Sequence, residues 1–404
     1  MLVRAESGGA SLAVAADRSA ADAELRSGLI GRSHPELVQI VRELGEPEQT
    51  APMRARQLWH WLYRRGMTDL AAMTTLPTGL RERLAERYRI DRPLVVDEQA
   101  SADGTRKWLL RFADGREVET VYIPEPDRGA VCISTQVGCS LTCSFCHTGT
   151  MPLARNLRAG EIVSQVMIVR DALGEWPTPD GPRRLSHIVV MGMGEPLLNY
   201  DQTVAALRIA MDADGLAFAR RKITLSTSGV VPKIDACGRD LGVGLAVSLH
   251  AVRDDLCDRL VPINRKWNIA QLLEACRDYA AQSDRRVTFE YVMLEGINDS
   301  DADARELVRL IRGLPAKVNL IPFNPGPVRP IVARRRSGSP RSPRSWRAPA
   351  IRRRCGRRAA TTSSPPAASS RPRASGAGGP ASPPEPCAAS SSAFWRPSGR
   401  SLCS

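Results

Sequence analysis

The sequence predicts an α/β fold, namely a partial (β/α)6 barrel with a small N-terminal helical accessory domain and a disordered C-terminal tail. Six apolar, strand-like runs alternate with helical stretches in the middle of the chain, as in a parallel β/α barrel. Amphipathic helical sequence precedes these runs, and an Arg/Pro/Ser-rich segment without periodicity follows them. These three observations divide the chain into its parts.

The N-terminal part contains a segment rich in small residues and, after it, a helical segment. Residues 1–30 are rich in Ala, Ser and Gly, and we predict that they are disordered. Residues 31–92 place apolar side chains at helical spacing in ELVQIVRELG, MRARQLWHWLYRRG and GLRERLAERYRI. The middle segment interleaves arginines with aromatics, a pattern that suits a nucleic-acid surface. By itself, a helical bundle with Trp and Tyr in its core is the simpler interpretation.

We predict that residues 93–130 form a β-hairpin extension that leads into the barrel. Asp103-Gly104 and Asp114-Gly115 are turn signals around the alternating runs KWLLRF and REVETVYI. The barrel core is predicted over residues 131–325, with the strands VCISTQ, HIVVMG, KITLST, GLAVSL, RVTFEYVM and KVNLIPF. The intervening helices include AGEIVSQVMIVRDAL, YDQTVAALRIAMD, IAQLLEACRDYAA and DADARELVRLIRGL. Reactive groups in such barrels lie at the C-terminal ends of the strands.

Three cysteines follow the first barrel strand, in the order Cys139, Cys143 and Cys146, spaced C-x3-C-x2-C. Three thiolates on one loop can hold three irons of a [4Fe–4S] cluster and leave the fourth iron open to bind a small molecule. A structural zinc site is the alternative, but it requires four ligands. No fourth cysteine is nearby, and His147, which adjoins Cys146, is poorly placed to complete a tetrahedron. The spacing therefore favours an iron–sulfur centre.

Small or polar residues recur where successive barrel strands end: Gly194, Glu195, Ser226, Ser248, Leu249, His250 and Asn324. A glycine allows close backbone approach to a ligand, and the Glu195 carboxylate could hold an ammonium group. The Asn324 amide could bind the edge of an adenine. Each residue alone is compatible with a turn or a structural role. Their recurrence around one cysteine loop predicts a ligand site.

These motifs together carry a family resemblance. C-x3-C-x2-C, MGMGEPLLNYD, ITLSTSG, VSLHA and IPFNP, in this order, resemble the radical S-adenosylmethionine (SAM) enzymes that methylate C2 of adenine in RNA. The resemblance spans roughly residues 35–325 and includes ETVYIP and VCISTQVGCS. It implies a radical-SAM barrel, one [4Fe–4S] cluster per chain on the three cysteines, and SAM held by the residues at the strand ends. It also implies that Glu119 is a proton acceptor and that Cys132 is a second catalytic cysteine, which releases the product.

The family resemblance implies a mechanism and partners as well. One SAM methylates a cysteine near the C-terminus, and a second SAM yields a radical that abstracts hydrogen from that methyl group. The implied substrates are 23S rRNA and tRNA, the implied electron donor is a reducing partner such as flavodoxin or ferredoxin, and the helical N-terminal region is the implied RNA-binding domain. No apolar run reaches the length of a membrane span, and the N-terminus lacks a secretory signal. We therefore expect a cytoplasmic monomer without membrane contact.

The tail, residues 326–404, departs from the family pattern. It holds 16 Arg, no Lys, no Asp and one Glu, a net charge of +15, so residues 1–325 carry −1 of the chain's +14. The family's methyl-carrying cysteine lies in a pattern like AACGQL, whereas Cys355 here lies in RRRCGRR and takes no role by resemblance. We expect that a reading-frame shift produced the tail and that the chain lacks its methyl carrier. The alternative is a genuine basic tail that binds RNA by charge.

Two other functions remain open from the sequence. Another radical SAM enzyme, such as a methylthiotransferase or an activase, would require a second cysteine cluster or a glycyl-radical partner. A noncatalytic zinc-dependent RNA-binding protein would be colourless and would hold stoichiometric zinc.

Overall fold

The computed structural model describes residues 27–90, 92–126, 128–283 and 285–323. The predictions made for Asn324 and for the tail lie outside these residues. Among the described residues, no helix is long and apolar enough to cross a membrane.

The N-terminal unit is a small helical bundle tied by two short parallel strands. Its elements are β1 (Ser27–Gly28), α1 (His34–Glu43), α2 (Ala51–Trp59), a π-helical turn (His60–Arg64), α3 (Thr78–Arg87) and β2 (Tyr88–Arg89). A capping box between Ser33 and Glu36 fixes the start of α1. The predicted disorder up to residue 30 extends too far, because β1 pairs with β2 and Leu29 is fully buried.

The aromatic residues of this unit are buried. Trp59, Trp61 and Tyr63 expose 2%, 7% and 0% of their surface, while Arg56 and Arg65 lie on the outside. Trp59 stacks on His34, and its indole donates to Asp212 Oδ1 (3.1 Å). These rings therefore form a core and fasten the unit to the barrel, so they cannot serve as stacking platforms for RNA bases.

One nine-stranded sheet dominates the chain, in the order β13-β12-β11-β10-β9-β6-β5-β4-β3. Its strands are β3 (Leu94–Ala100), β4 (Arg106–Arg111), β5 (Glu117–Glu125), β6 (Arg128–Cys132), β9 (His187–Val190), β10 (Ile223–Thr227), β11 (Gly244–Ser248), β12 (Val287–Met293) and β13 (Ala316–Pro322). β6 and β9 to β13 are parallel, which confirms the six predicted barrel strands. The strands of the predicted hairpin extension belong to the same sheet, because β5 pairs with β6.

Helices connect the parallel strands: α4 (Ala159–Leu173), α5 (Tyr200–Met211), α6 (Val231–Asp240), α7 (Asp254–Leu260), α8 (Ile269–Ser283) and α9 (Asp301–Leu310). Short 3-10 turns occupy Thr148–Thr150, Pro196–Asn199, Arg220–Lys222 and Pro262–Arg265. The predicted helices agree closely with α4, α5, α8 and α9. The sequence did not predict α6, whose Pro232 and Gly238 weaken the helical pattern, or the two-turn α7.

The two faces of the sheet differ in chemistry. One face packs against helices and is buried, as at Trp108, Val131 and Phe289. Because side chains alternate along a strand, the pairing register places the intervening residues together on the opposite face. We call this the polar face, and its defining residues are Lys107, Glu119, Cys132, Ser226, Ser248 and Glu290.

Candidate active site

The three clustered cysteines lie on a loop that we call the cysteine loop, residues 138–154. A two-residue ribbon closes its base, with β7 (Gln136–Val137) antiparallel to β8 (Arg155–Asn156). Gly138 adopts φ +78°, and a Cβ there would lie 2.1 Å from the carbonyl oxygen of Pro152. Only glycine permits this close crossing of the two sides of the loop. The ribbon thus positions the loop at the C-terminal end of β6.

The thiols of Cys139, Cys143 and Cys146 are partly buried, and none forms a disulfide. Burial raises the pKa of each thiol, and at Cys143 the charges of Cys146 and Cys139 raise it further. The three sulfurs are therefore close enough to interact electrostatically. As thiolates they would repel one another, so they would require positively charged ligands such as iron between them.

The surrounding backbone provides donors for such thiolates. The Leu141 amide donates to Cys139 Sγ (3.3 Å). The backbone amides of Gly194, near Cys139, and of Gly149 and Thr148, near Cys146, lower the pKa of the neighbouring thiol, against the larger effect of burial. Three thiols on one loop are the donor set of a [4Fe–4S] cluster with one open iron, whereas a structural zinc ion requires four ligands.

Gln136 connects the cysteine loop to the neighbouring strand end. Its Oε1 accepts the Glu195 amide (3.0 Å), and its Nε2 donates to Ser140 Oγ (3.0 Å) and Asn156 Oδ1 (2.8 Å). Gln136 is buried, and a Cβ on Gly194 (φ +95°) would collide with it. One amide side chain thus holds the loop and the Gly194-Glu195 turn together.

The Glu195 carboxylate is buried and oriented by the backbone. Its Oε1 accepts the Leu197 amide (3.1 Å), and its Oε2 accepts the Ser228 amide (2.7 Å). Burial raises its pKa, and these hydrogen bonds act in the opposite direction. None of the Lys or Arg side chains in the described part of the chain forms an ion pair with Glu195. A buried carboxylate of this kind favours a positively charged ligand, such as an ammonium group.

Ser226 and Ser248 lie on the polar face at the ends of β10 and β11, and both are partly exposed. Leu249 is fully buried, and its amide donates to the carbonyls of Val247 and Glu290. His250 is buried, and burial lowers its pKa to about 3, so its ring is neutral. The ring accepts the Val292 amide at Nδ1 (3.0 Å) and packs edge-on against Phe145 of the cysteine loop, with ring centroids 4.5 Å apart.

Glu119 and Cys132 lie together on the polar face, on β5 and β6. Glu119 Oε1 pairs with Lys107 Nζ (3.0 Å), a partner that lies diagonally across β4 and β5. Burial raises the pKa of the Cys132 thiol to about 12, and the negative charge of Glu119 contributes to this increase. The Glu119 carbonyl accepts the Ser134 hydroxyl (2.7 Å), which in turn accepts the Met193 amide (2.9 Å).

The structure thus brings the predicted residues to one edge and one face of the sheet, except Asn324, which is not described. Sequence reasoning did not single out Gln136, Lys107 or Glu290, which lie beside the predicted residues. Gln136 had a signal, since it is the last residue of the predicted strand VCISTQ and lies three residues before the first clustered cysteine. Lys107 and Glu290 had none, because only strand pairing shows which face their side chains share.

Comparisons with known proteins agree with this geometry. The profile of the Radical SAM superfamily matches residues 133–308. The profile described as "Ribosomal RNA large subunit methyltransferase N-terminal domain" matches residues 28–90. The first region contains the cysteine loop and the strands β9 to β12, and the second contains the helical bundle.

Curated relatives extend the match across both regions. The "Dual-specificity RNA methyltransferase RlmN" of Rhodospirillum rubrum is 62% identical over 301 residues, which are 74% of this chain and 69% of the relative. This chain belongs to the RlmN family. The RlmN proteins of Granulibacter bethesdensis (61% identical, 75% of this chain and 76% of the relative) and Gluconobacter oxydans (59%, with 76% and 75% covered) are similarly close.

The RlmN assignment also agrees with a solved structure. A radical SAM methyltransferase from Sphaerobacter thermophilus superposes with a TM-score of 0.70 at 48% identity, covering 75% of this chain and 87% of that one. The predicted α/β radical-SAM fold and the predicted family are therefore confirmed.

Proposed function

We propose that this protein is a radical SAM methyltransferase that methylates C2 of adenine in 23S rRNA and tRNA, and that it uses one [4Fe–4S] cluster per chain and SAM. RlmN-family membership supports the reaction class. The observation that carries the proposal is the convergence of the cysteine loop, the Glu195 turn and the polar face at one edge of the sheet.

Cys139, Cys143 and Cys146 would hold the cluster, and Gly194, Glu195, Ser226 and the segment Ser248 to His250 would hold SAM. When bound, the reduced cluster supplies the electron that cleaves SAM and begins radical chemistry. Radical chemistry is needed because C2 of adenine is electron-poor, so ordinary methyl transfer cannot reach it. The protein orients the reactants. Gln136 couples the loop to the Glu195 turn, so that cluster and cofactor sites keep one relative position. The target adenine must leave its stack to reach this edge.

Glu119 on β5 and Cys132 on β6 would act on the polar face in the later steps of the reaction. Glu119 would accept a proton at its carboxylate, while Lys107 holds that carboxylate in place through the 3.0 Å ion pair. Cys132 would act as the thiol that releases the product. Its raised pKa keeps the thiol protonated at neutral pH.

The partners follow from the same assignment. We infer a reducing partner, such as flavodoxin or ferredoxin, for the cluster, and a cytoplasmic monomer as the working form. RNA would be bound partly through the N-terminal bundle, where Arg56 and Arg65 are exposed. Because the body carries a net charge of −1, this binding would depend on local basic residues rather than on overall charge.

Replacement of Glu195 by glutamine should weaken SAM binding by about 10- to 100-fold and leave the cluster intact. A charge-assisted hydrogen bond contributes about 1.5–3 kcal/mol, and about 1.4 kcal/mol corresponds to tenfold in affinity. Calorimetry on the anaerobically reconstituted protein measures the affinity, and iron analysis measures the cluster. Glu306→Gln, on the exposed side of α9, is the matched control. Unchanged SAM affinity in the Glu195 variant would show that this residue only forms a turn.

Cys132 should react with iodoacetamide at least ~100-fold more slowly than a free thiol at pH 8. Only the thiolate is reactive, and a pKa of about 12 leaves little thiolate at that pH. Mass spectrometry of the cluster-loaded protein follows the modification over time, with glutathione as the reference thiol. Alkylation at the rate of glutathione would contradict the buried, protonated state.

A further inference from the structure

Gln165 is a fully buried amide side chain in the middle of α4. It pairs with the backbone of Ser134 at two points: its Oε1 accepts the Ser134 amide (2.7 Å), and its Nε2 donates to the Ser134 carbonyl (2.8 Å). Oε1 also accepts the hydroxyl of Thr120 (2.9 Å), and both partners are fully buried. The helix thus supplies to Ser134 the two hydrogen bonds that a neighbouring strand would supply in a sheet.

The side chain of Ser134 connects the two strands that flank β6. The paired residues of β6 end at Cys132, two positions before Ser134. Beyond that point the Ser134 hydroxyl donates to the Glu119 carbonyl of β5 (2.7 Å) and accepts the amide of Met193, just after β9 (2.9 Å). One hydroxyl therefore continues the sheet on both sides of β6, where the backbone of Ser134 is bound to Gln165.

The chain that follows β9 is fitted closely to this hydroxyl. A Cβ on Gly192 would lie 2.7 Å from Ser134 Oγ, so only glycine leaves room for the side chain there. The carbonyl of Met193 accepts the amides of the two residues that follow Ser134 (2.8 and 3.2 Å). Residues 134–136 thus hold the turn 192–195 through both backbone and side chains.

Two parts of the candidate site meet at Ser134. Glu119 and Cys132, proposed to act on the adenine, lie on one side of the hydroxyl, and the Glu195 turn, proposed to hold SAM, lies on the other. Ser134 is fully buried, so it would act through these neighbours and not by contact with a ligand. Reactions between two bound groups depend on their relative position to within about 1 Å.

We propose that Ser134, held by Gln165, is a positioning residue that fixes Glu119 and Cys132 relative to the Glu195 turn. This inference rests on the proposed function, because it takes the roles of those residues from it.

The first test measures SAM affinity by calorimetry on the anaerobically reconstituted full chain. Ser134→Ala should bind SAM about 5-fold more weakly than wild type, the factor expected for the loss of one hydrogen bond. In a Glu195→Gln background the same substitution should change the affinity little, because its effect passes through that carboxylate. Ser283→Ala is the matched control: at the end of α8 it removes a hydroxyl that also donates to a backbone carbonyl at 2.7 Å.

The second test examines the other side of the hydroxyl and does not require SAM. Iodoacetamide should alkylate Cys132 about 5-fold faster in Ser134→Ala than in wild type or in Ser283→Ala. The physical reason is that loss of the bond to Glu119 loosens β5 beside the buried thiol. Mass spectrometry of the Cys132 peptide measures the rate, and urea unfolding measures the stability of each variant.

A wild-type value in either measurement would overturn the proposal, because Ser134 would then hold one side only or contribute only to stability. Additive losses of SAM affinity in the double variant would overturn it as well. If Ser134→Ala loses its iron, Thr120→Val replaces it, since it keeps the side-chain shape and removes the hydroxyl that orients Gln165. Both changes should then appear in the same direction, and their absence would overturn the proposal. Failure of the wild type to bind SAM would refute the proposed function, and the alkylation rates would still decide whether Ser134 positions Cys132.

Discussion

Substitution of Cys143 by alanine is expected to abolish the iron–sulfur centre completely. Anaerobic reconstitution of the wild type should give a brown protein with about four irons per chain, and the variant should bind almost none. The thiol of Cys143 interacts with both other thiols of the set, so its removal leaves only two of the three cysteine ligands. Iron and sulfide analysis, together with the visible spectrum, measures the outcome.

Ser144→Ala is the matched control for this substitution. Ser144 lies between the second and third cysteines, and its contact to Leu260 uses only the backbone amide (3.1 Å), which alanine retains. The control should keep its iron. Stoichiometric zinc and no iron in a carefully anaerobic wild-type preparation would contradict the cluster and would favour the noncatalytic zinc-binding alternative.

The chain as written is expected to form no 2-methyladenosine, although it should still cleave SAM slowly when reduced. Cleavage requires the cluster, an electron and bound SAM, and the residues proposed for these lie before position 325. Methyl transfer also requires a carrier thiol, and a misplacement of even ~1 Å can cost on the order of a hundredfold in rate. Cys355, in RRRCGRR, lacks the sequence context of the family's methyl-carrying cysteine.

Mass spectrometry of 23S rRNA fragments and tRNA provides the measurement for this prediction. The chain as written is compared with a version translated from codon 326 onward in the alternative reading frame that restores the family pattern. Methylation is expected only with the restored version, while both should release 5′-deoxyadenosine. Equal methylation by both would contradict the frameshift interpretation, and loss of that activity in Cys355→Ser would then identify the carrier.

RNA binding that depends on the 16 tail arginines should weaken steeply with salt.

Much of the candidate site could be predicted because its chemistry is encoded locally. The spacing of Cys139, Cys143 and Cys146 predicts their common ligand without knowledge of the fold. The strand-end positions of Glu195 and Ser226 followed from the alternation of strands and helices, since parallel strands place their carboxyl ends at one edge. Roles taken from the family resemblance, such as those of Glu119 and Cys132, remain predictions.

Other parts of the site depend on contacts between segments that are distant in the chain. Gln136 bridges the cysteine loop and Glu195, which is 59 residues away. The Arg-flanked aromatics of α2 resembled an RNA-binding surface, but Trp59 reaches across to Asp212 and is buried. Side-chain burial of this kind is not visible in a local pattern, because it depends on which other element covers the helix.

The sequence by itself determined the period of each helix and strand, the iron-binding spacing and the family. Helix α4, Ala159–Leu173, agrees residue for residue with its predicted segment, since an apolar run with regular spacing is a local property. Only the tertiary structure decided that the hairpin strands join the barrel sheet through Val121 and Cys132, and that Glu290 lies beside Ser248. The physical reason is strand register: a shift of one residue moves every side chain to the opposite face, and long-range pairing alone sets that register.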